Sequence, residues 1–286
     1  MSEETEVEES SAPLIKHLTE LRSRLIYSIA AFIVGILVTF YFAPTLLDFL
    51  LEPTAKVLRN YGVSPDFTTF AAQENFFVYF RISVLMGFAV SFPMIAFQMW
   101  RFVAPGLYKN EKGAFLPFIV ASPLLFLTGA AFAHYAVTPL AMNFFIGFSD
   151  FVTEGTKSAI EGGSETGNTF LPRVTDILDL TLKFIFAFGL CFQLPVLMTL
   201  LGMAGLVSSQ GMKNMRKYAV VAILTLAAIV TPPDVVTQVI LFTVVYLLYE
   251  ISIQLVAAVE RKREKKLREE GYYDDEDEDD DGDDDA

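Results

Sequence analysis

The chain has 286 residues, 53% of them hydrophobic, and a formal net charge of −13. Eleven of its acidic residues fall within 274–285, so the remainder is close to neutral and nothing basic marks it for nucleic acid. A single cysteine, Cys191, excludes a disulfide framework and a cysteine metal centre, and two histidines, His17 and His134, are too few for most histidine chemistry. No cofactor or metal is expected.

The first twelve residues are acidic (Glu3, Glu4, Glu6, Glu8, Glu9) and read as a flexible N-terminus rather than a cleavable leader. Leucines at 14, 18, 21 and 25 then mark one face of an amphipathic helix, expected to lie along the membrane surface before turning into the first span. Six apolar stretches follow, at 25–42, 76–103, 114–137, 177–201, 218–230 and 235–256. Blocks this apolar and this poor in charge read as membrane spans. The fifth has only 13 uninterrupted apolar residues and cannot cross a bilayer unaided. The sixth is cleanly apolar only as far as Tyr249, so the last two helices are expected to be short and to pack as a tight hairpin. Residues 43–75, with Pro44, Pro53 and Pro65, suggest short helices forming a cap; 149–171 is rich in Gly, Ser and Thr and reads as a mobile loop. Pro93, Pro117, Pro123 and Pro195 bend their spans and favour a curved, concave bundle. The predicted architecture is an all-α integral membrane protein: a membrane domain over 13–256, followed by a basic, then acidic, disordered tail over 257–286.

Lysine and arginine placement orients the bundle. Lys16, Arg22 and Arg24 precede the first span; Arg101, Lys109 and Lys112 separate the second and third; Lys213, Arg216 and Lys217 separate the fourth and fifth; six more follow the sixth. The alternate loops carry only Lys56, Arg59, Lys157 and Arg173. Both termini are therefore predicted to be cytoplasmic.

Against that basic inner face, and apart from the chain ends, Glu20 and Glu111 are the only acidic residues. Two carboxylates at the membrane boundary suit a ligand with two guanidiniums, because arginine–carboxylate contacts are charge-assisted and can be bidentate. Glu20 could equally pair with Arg24 one helical turn on. Within the spans, Gln193 in Phe192-Gln-Leu-Pro195 is the clearest polar intrusion: it either satisfies backbone near the Pro195 bend or meets a polar residue of a partner helix. Glu250, Arg81 and Lys183 are expected to snorkel.

Four segments together resemble one family. They are His17-Leu-Thr-Glu-Leu-Arg-Ser-Arg24, the run from Gln98-Met-Trp-Arg to Tyr-Lys-Asn-Glu111, Phe188-Gly-Leu-Cys-Phe-Gln-Leu-Pro195, and residues 226–235 with Thr-Pro-Pro-Asp234. Their order and spacing resemble TatC, the polytopic receptor of the twin-arginine protein translocation system, over 14 to about 252. The resemblance implies six helices in a glove-like shape in a bacterial cytoplasmic (inner) membrane. It further implies recognition of twin-arginine signal peptides on folded cargo, single-span partners of the TatA and TatB types, oligomeric assembly, and export driven by the proton-motive force. In that scheme Glu20 and Glu111 receive the paired arginines, and Arg22, Phe102 and Tyr108 shape the same surface. Pro53 and Asp234 stand at functionally sensitive positions. Many members carry glutamate where this chain has Gln193.

The alternatives are weaker. A small-solute secondary transporter usually shows internal repeats and a midplane site built from broken helices; the two halves show no repeat. A purely structural anchor leaves the paired carboxylates without a purpose. No nucleophile, metal or phosphate-loop motif supports an enzyme.

Overall fold

The computed structural model describes residues 3–71, 73–107, 116–159, 172–231 and 234–269. They form helices throughout, with one isolated β-bridge between Thr68 and Arg173 and no sheet. In chain order the helices are α1 (Glu3–Tyr41), α2 (Ala43–Asn60), α3 (Glu74–Leu107), α4 (Leu116–Phe132), α5 (Thr138–Ala159), α6 (Val174–Cys191), α7 (Leu194–Met203), α8 (Ser209–Asn214), α9 (Arg216–Val230) and α10 (Val235–Glu269). A π-helical turn, Ala133–Val137, joins α4 to α5.

Helix α1 corrects the expectation of a surface helix that turns into the first span. It is one helix of 39 residues. Nothing between Leu14 and Val34 is Gly or Pro, so no residue there supplies a break. Its apolar part, Thr19–Tyr41, runs antiparallel to α3. The two backbones touch where both chains carry glycine: a Cβ on Gly35 would stand 2.6 Å from the Gly87 carbonyl oxygen. One turn further on, the buried Thr39 hydroxyl donates to the Ser83 carbonyl at 2.9 Å. Small residues at a crossing are how membrane helices approach closely when no hydrophobic drive separates them from lipid.

At the far end of this pair, α2 replaces the expected set of short helices. Pro44 opens it, and Pro53, buried, is accommodated inside it. One face, including Leu50, Leu51, Val57 and Leu58, packs on the bundle. The chain then returns through Gly62, in the left-handed region at φ 70°. Glu74 at the start of α3 closes this end of the molecule. It accepts from the Phe70 amide at 2.9 Å, from Arg173 Nε at 2.9 Å, and from the Thr175 hydroxyl. The Glu74 hydrogen bond in turn holds the Arg173 guanidinium above its ordinary pKa.

The remaining spans depart from straight helices where the sequence places proline. The third does not stop at Val137. The π turn falls just before Pro139, which has no N–H to give, and Thr138 Oγ1 bonds back to the Ala133 carbonyl at 3.0 Å. The helix then continues, so that 149–159, expected to be loop, belongs to α5. The fourth span is broken at Phe192–Gln193, two residues before Pro195, into α6 and α7. Of the two helices expected to be short, α9 has 15 residues, about 22 Å. The other, α10, has 35 residues, because past its apolar part it continues through Glu-, Lys- and Arg-rich sequence of high helix propensity, into the segment expected to be a disordered tail. The acidic run 274–285 lies outside the described residues.

Helices α8 and α9 are both braced by α10. Arg216 pairs with Glu250 at 2.7 Å, the Tyr249 hydroxyl donates to the Met212 carbonyl at 2.8 Å, and Glu260 accepts from the Ser209 amide at 2.9 Å. Glu250 is thus half of an ion pair instead of a snorkelling side chain.

Gly35→Ala is expected to destabilise the fold by about 1–3 kcal/mol through overpacking against Gly87. Thermal unfolding in detergent measures this; an unchanged Tm would contradict the close crossing.

Candidate functional site

The α1–α3 crossing fixes what stands level with what at its other end. Gly35 faces Gly87 and Thr39 faces Ser83, so four residues forward on α1 match four back on α3. Carried toward the chain start, this register sets Ser23 level with Met99 and Glu20 level with Phe102. The structure agrees. A groove of about 680 Å³ lies between the helices there, lined by Thr19, Glu20, Ser23, Arg24 and Tyr27 of α1 and by Gln98 and Arg101 of α3.

Glu20 is half-buried in this groove and already holds a guanidinium. Arg24 Nε donates to Glu20 Oε1 at 3.1 Å, and Arg24 Nη2 donates to the same oxygen. Arg24 is the more enclosed of the two, its side chain 15% exposed against 37% for Glu20. Across the groove Arg101 lies over the Phe97 ring at 5.9 Å from its centroid, and Gln98 is buried. The wall therefore has one carboxylate, two guanidiniums and aromatic faces.

The expected site residues fall into three groups. Glu20 lines the groove, and the half-buried Phe102 stands level with it on α3. Arg22 is exposed and is not among the residues lining the groove. Tyr108 and Glu111 lie outside the described residues. Arg101, Gln98 and Tyr27 were not singled out from sequence as site residues. Spacing carries part of their signal, since 20, 23, 24 and 27 share a helical face, as do 98 and 101, but which faces meet is set by the α1–α3 register.

Gln193 departs from the first of its two alternatives. Its side chain bonds not the Pro195 turn but Ser122 of α4: Ser122 Oγ donates to Gln193 Oε1 at 2.7 Å, and Gln193 Nε2 donates to the Ser122 carbonyl at 2.8 Å. Ser122 precedes Pro123 and Gln193 sits at the break before Pro195, so this double hydrogen bond ties together two proline-disturbed helices. Gln193 also lines a second groove of about 680 Å³, apolar apart from Gln193 and Lys183, whose walls include Leu190, Leu194, Leu197, Ile223 and Leu226.

The family description "Sec-independent protein translocase protein (TatC)" matches residues 16–243, which take in the groove, Gln193, Pro53 and Asp234. The chain belongs to the TatC family. It is 41% identical to a TatC from Magnetococcus marinus, covering 89% of this chain and 88% of that one, and 37% identical to a TatC from Aquifex aeolicus, covering 88% and 98%. It also resembles a crystal structure described as the twin arginine translocase receptor TatC, with TM-score 0.70, 36% identity, and coverage of 85% of this chain and 99% of that one. The chain is thus a multi-pass membrane protein of TatC fold. Five of its segments are long and apolar enough to cross a bilayer alone, among the described residues, and α9 is the short companion.

The TatC-like loop position Asp234 has a local structural task here. Its carboxylate caps α10, accepting from the Thr237 amide at 2.7 Å and from the Thr237 hydroxyl. Pro53 lines a cavity of about 540 Å³ with Glu52, Lys56 and the buried His134.

Asp234→Ala is expected to cost about 1 kcal/mol through the lost cap. Gln193→Leu should cost about 0.6–2 kcal/mol through the lost interhelical hydrogen bonds. Denaturant or thermal unfolding in detergent measures both, and a Gln193→Leu protein as stable as the parent would contradict the α4–α7 tie.

Proposed function

We propose that the chain is the core receptor subunit of a twin-arginine translocase. On this reading it binds the paired arginines of signal peptides on folded cargo at its cytoplasmic face and organises single-span TatA- and TatB-like partners for export driven by the proton-motive force. One observation carries it: the Glu20 carboxylate, in an open groove between α1 and α3, is already engaged by a guanidinium. The surroundings accept the group an arginine leader would bring, and Arg24 is the ligand such a leader displaces. Exchange of one guanidinium for another is close to neutral at that single contact, so affinity must come from a second carboxylate and from apolar contacts of the leader.

Glu111 supplies the second carboxylate. Chain connectivity is compatible with this: Glu111 follows the end of α3 at Leu107 by four residues, at most about 14 Å of chain. Arg22, Phe102 and Tyr108 complete the rim. The apolar groove beside Gln193 fits an apolar single-span helix, with the Gln193 amide able to trade its Ser122 bonds for a polar group of that helix. Both termini lie in the cytoplasm and the membrane is the bacterial inner membrane. The segment 1–12 and the stretch beyond the membrane domain act as appendages to it, and the subunit works as part of an oligomeric receptor complex.

Site-specific photocrosslinking to a twin-arginine signal peptide tests the proposal. Glu20→Ala and Glu111→Ala should each abolish crosslinking while the protein still inserts into the membrane. Unchanged crosslinking in both variants would refute the receptor role.

A further inference from the structure

On the lipid-facing side of α3 and α6, in the half of the molecule that carries α2, three ionisable side chains meet within the spans. Arg81 donates through Nη1 to both oxygens of Asp179, at 2.6 and 2.7 Å. Lys183, one turn further along α6, is exposed and lines the same groove of about 320 Å³. Among the described residues, no carboxylate lies within ion-pair distance of Lys183, and Asp179, the nearest acid along its helix face, is occupied by Arg81. The cluster therefore has two cations and one anion. The rest of the groove is apolar, with walls from Val84, Leu85 and Leu182.

An uncompensated ammonium inside a span is costly, and such residues ordinarily find a counter-charge. Depth decides which one is within reach. Lys183 is nine residues into α6, about 14 Å from its start. The broken fourth span, Val174–Met203, has 30 residues, about 45 Å, against a hydrocarbon core of about 30 Å. Its ends project beyond the core, so the Lys183 Cα lies roughly one side-chain length below the interface. Extended along the groove, the ammonium arrives beside Arg81, at the level of lipid phosphates. The groove floor below it suits an acyl chain.

We propose that Arg81 and Lys183 together bind the phosphodiester of an anionic phospholipid from the leaflet on the α2 side, with one acyl chain lying along Val84, Leu85 and Leu182. Asp179 holds Arg81 in place and makes the site selective: one net positive charge favours a headgroup with net negative charge over a zwitterion whose own ammonium would be repelled. This site is separate from the Glu20 groove and adjoins the groove beside Gln193, Lys183 standing on the wall that the two share.

The test uses the full chain purified in neutral detergent and offered equimolar phosphatidylglycerol and phosphatidylcholine with identical acyl chains, retained lipid being read by native mass spectrometry. The parent chain should retain phosphatidylglycerol about tenfold over phosphatidylcholine, the scale of one charge-assisted contact. Lys183→Leu and Lys183→Gln, both at a lipid-exposed position, should fold with unchanged Tm and lose that preference; Lys183→Arg should keep it. An excess of inorganic phosphate should leave the retained lipid in place. A parent chain without preference, or Lys183→Leu and Lys183→Gln that keep it, would overturn the site. Displacement by inorganic phosphate would overturn its assignment to a lipid. None of these outcomes bears on signal-peptide crosslinking.

Discussion

The contact of α1 with α3 through Gly35 and Gly87 is the constraint from which the site follows. Two helices whose backbones touch at one level cannot slide or rotate freely, because side chains at the crossing would collide. With the Thr39–Ser83 hydrogen bond one turn away, the register is fixed over the length of both helices. Glu20 is then carried to the level of Phe102 by geometry alone, about 22 Å from Gly35 along the helix. The unbroken course of α1 matters for the same reason. A hinge at the membrane surface would leave Glu20 free of α3; a continuous rod delivers it against Gln98 and Arg101.

The rest of the bundle shows how a chain rich in intramembrane proline ties its disturbed helices together. Several of its irregular points are matched by a side chain that reaches across or back. Gln193 and Ser122 join the two disturbed helices α4 and α7, Thr138 closes the π turn, and Glu74 gathers Phe70, Arg173 and Thr175 where α3 and α6 begin. Helix α9 is too short to span alone and is held to α10 by Arg216–Glu250, while the charged extension of α10 reaches back through Glu260 to Ser209 of α8. In this economy glutamine at 193 does what a neutral residue can: it donates and accepts at once, which an ionised glutamate at that position could not.

Much of this was legible in the sequence, and the exceptions have physical causes. The number and order of the apolar stretches, the short α9 and the Glu20–Arg24 pair follow from periodicity, length and i,i+4 spacing. Helix continuity was harder to read. Amphipathic sequence at a membrane surface and the start of a span look alike whether or not the chain bends between them, and only the absence of Gly and Pro between Leu14 and Val34 spoke for one rod. Long-range pairs were out of reach: Arg81 with Asp179, Glu74 with Arg173 and Gln193 with Ser122 join residues 98, 99 and 71 positions apart. Nothing local in the sequence distinguishes such a partner from a snorkelling side chain. The groove wall at Gln98 and Arg101 was readable only once the α1–α3 register was known.

The central claim is that two carboxylates share one face, and a distance measurement tests it most directly. Spin labels on a Cys191→Ser background carrying Glu20→Cys and Glu111→Cys report the separation by pulsed dipolar spectroscopy. Helix rise from Phe102 to Leu107 and the chain length beyond it limit the Cα–Cα distance to about 25 Å, which is the result the account predicts. A separation beyond about 40 Å, the thickness of a bilayer with its headgroups, would place the two residues on opposite faces and contradict it.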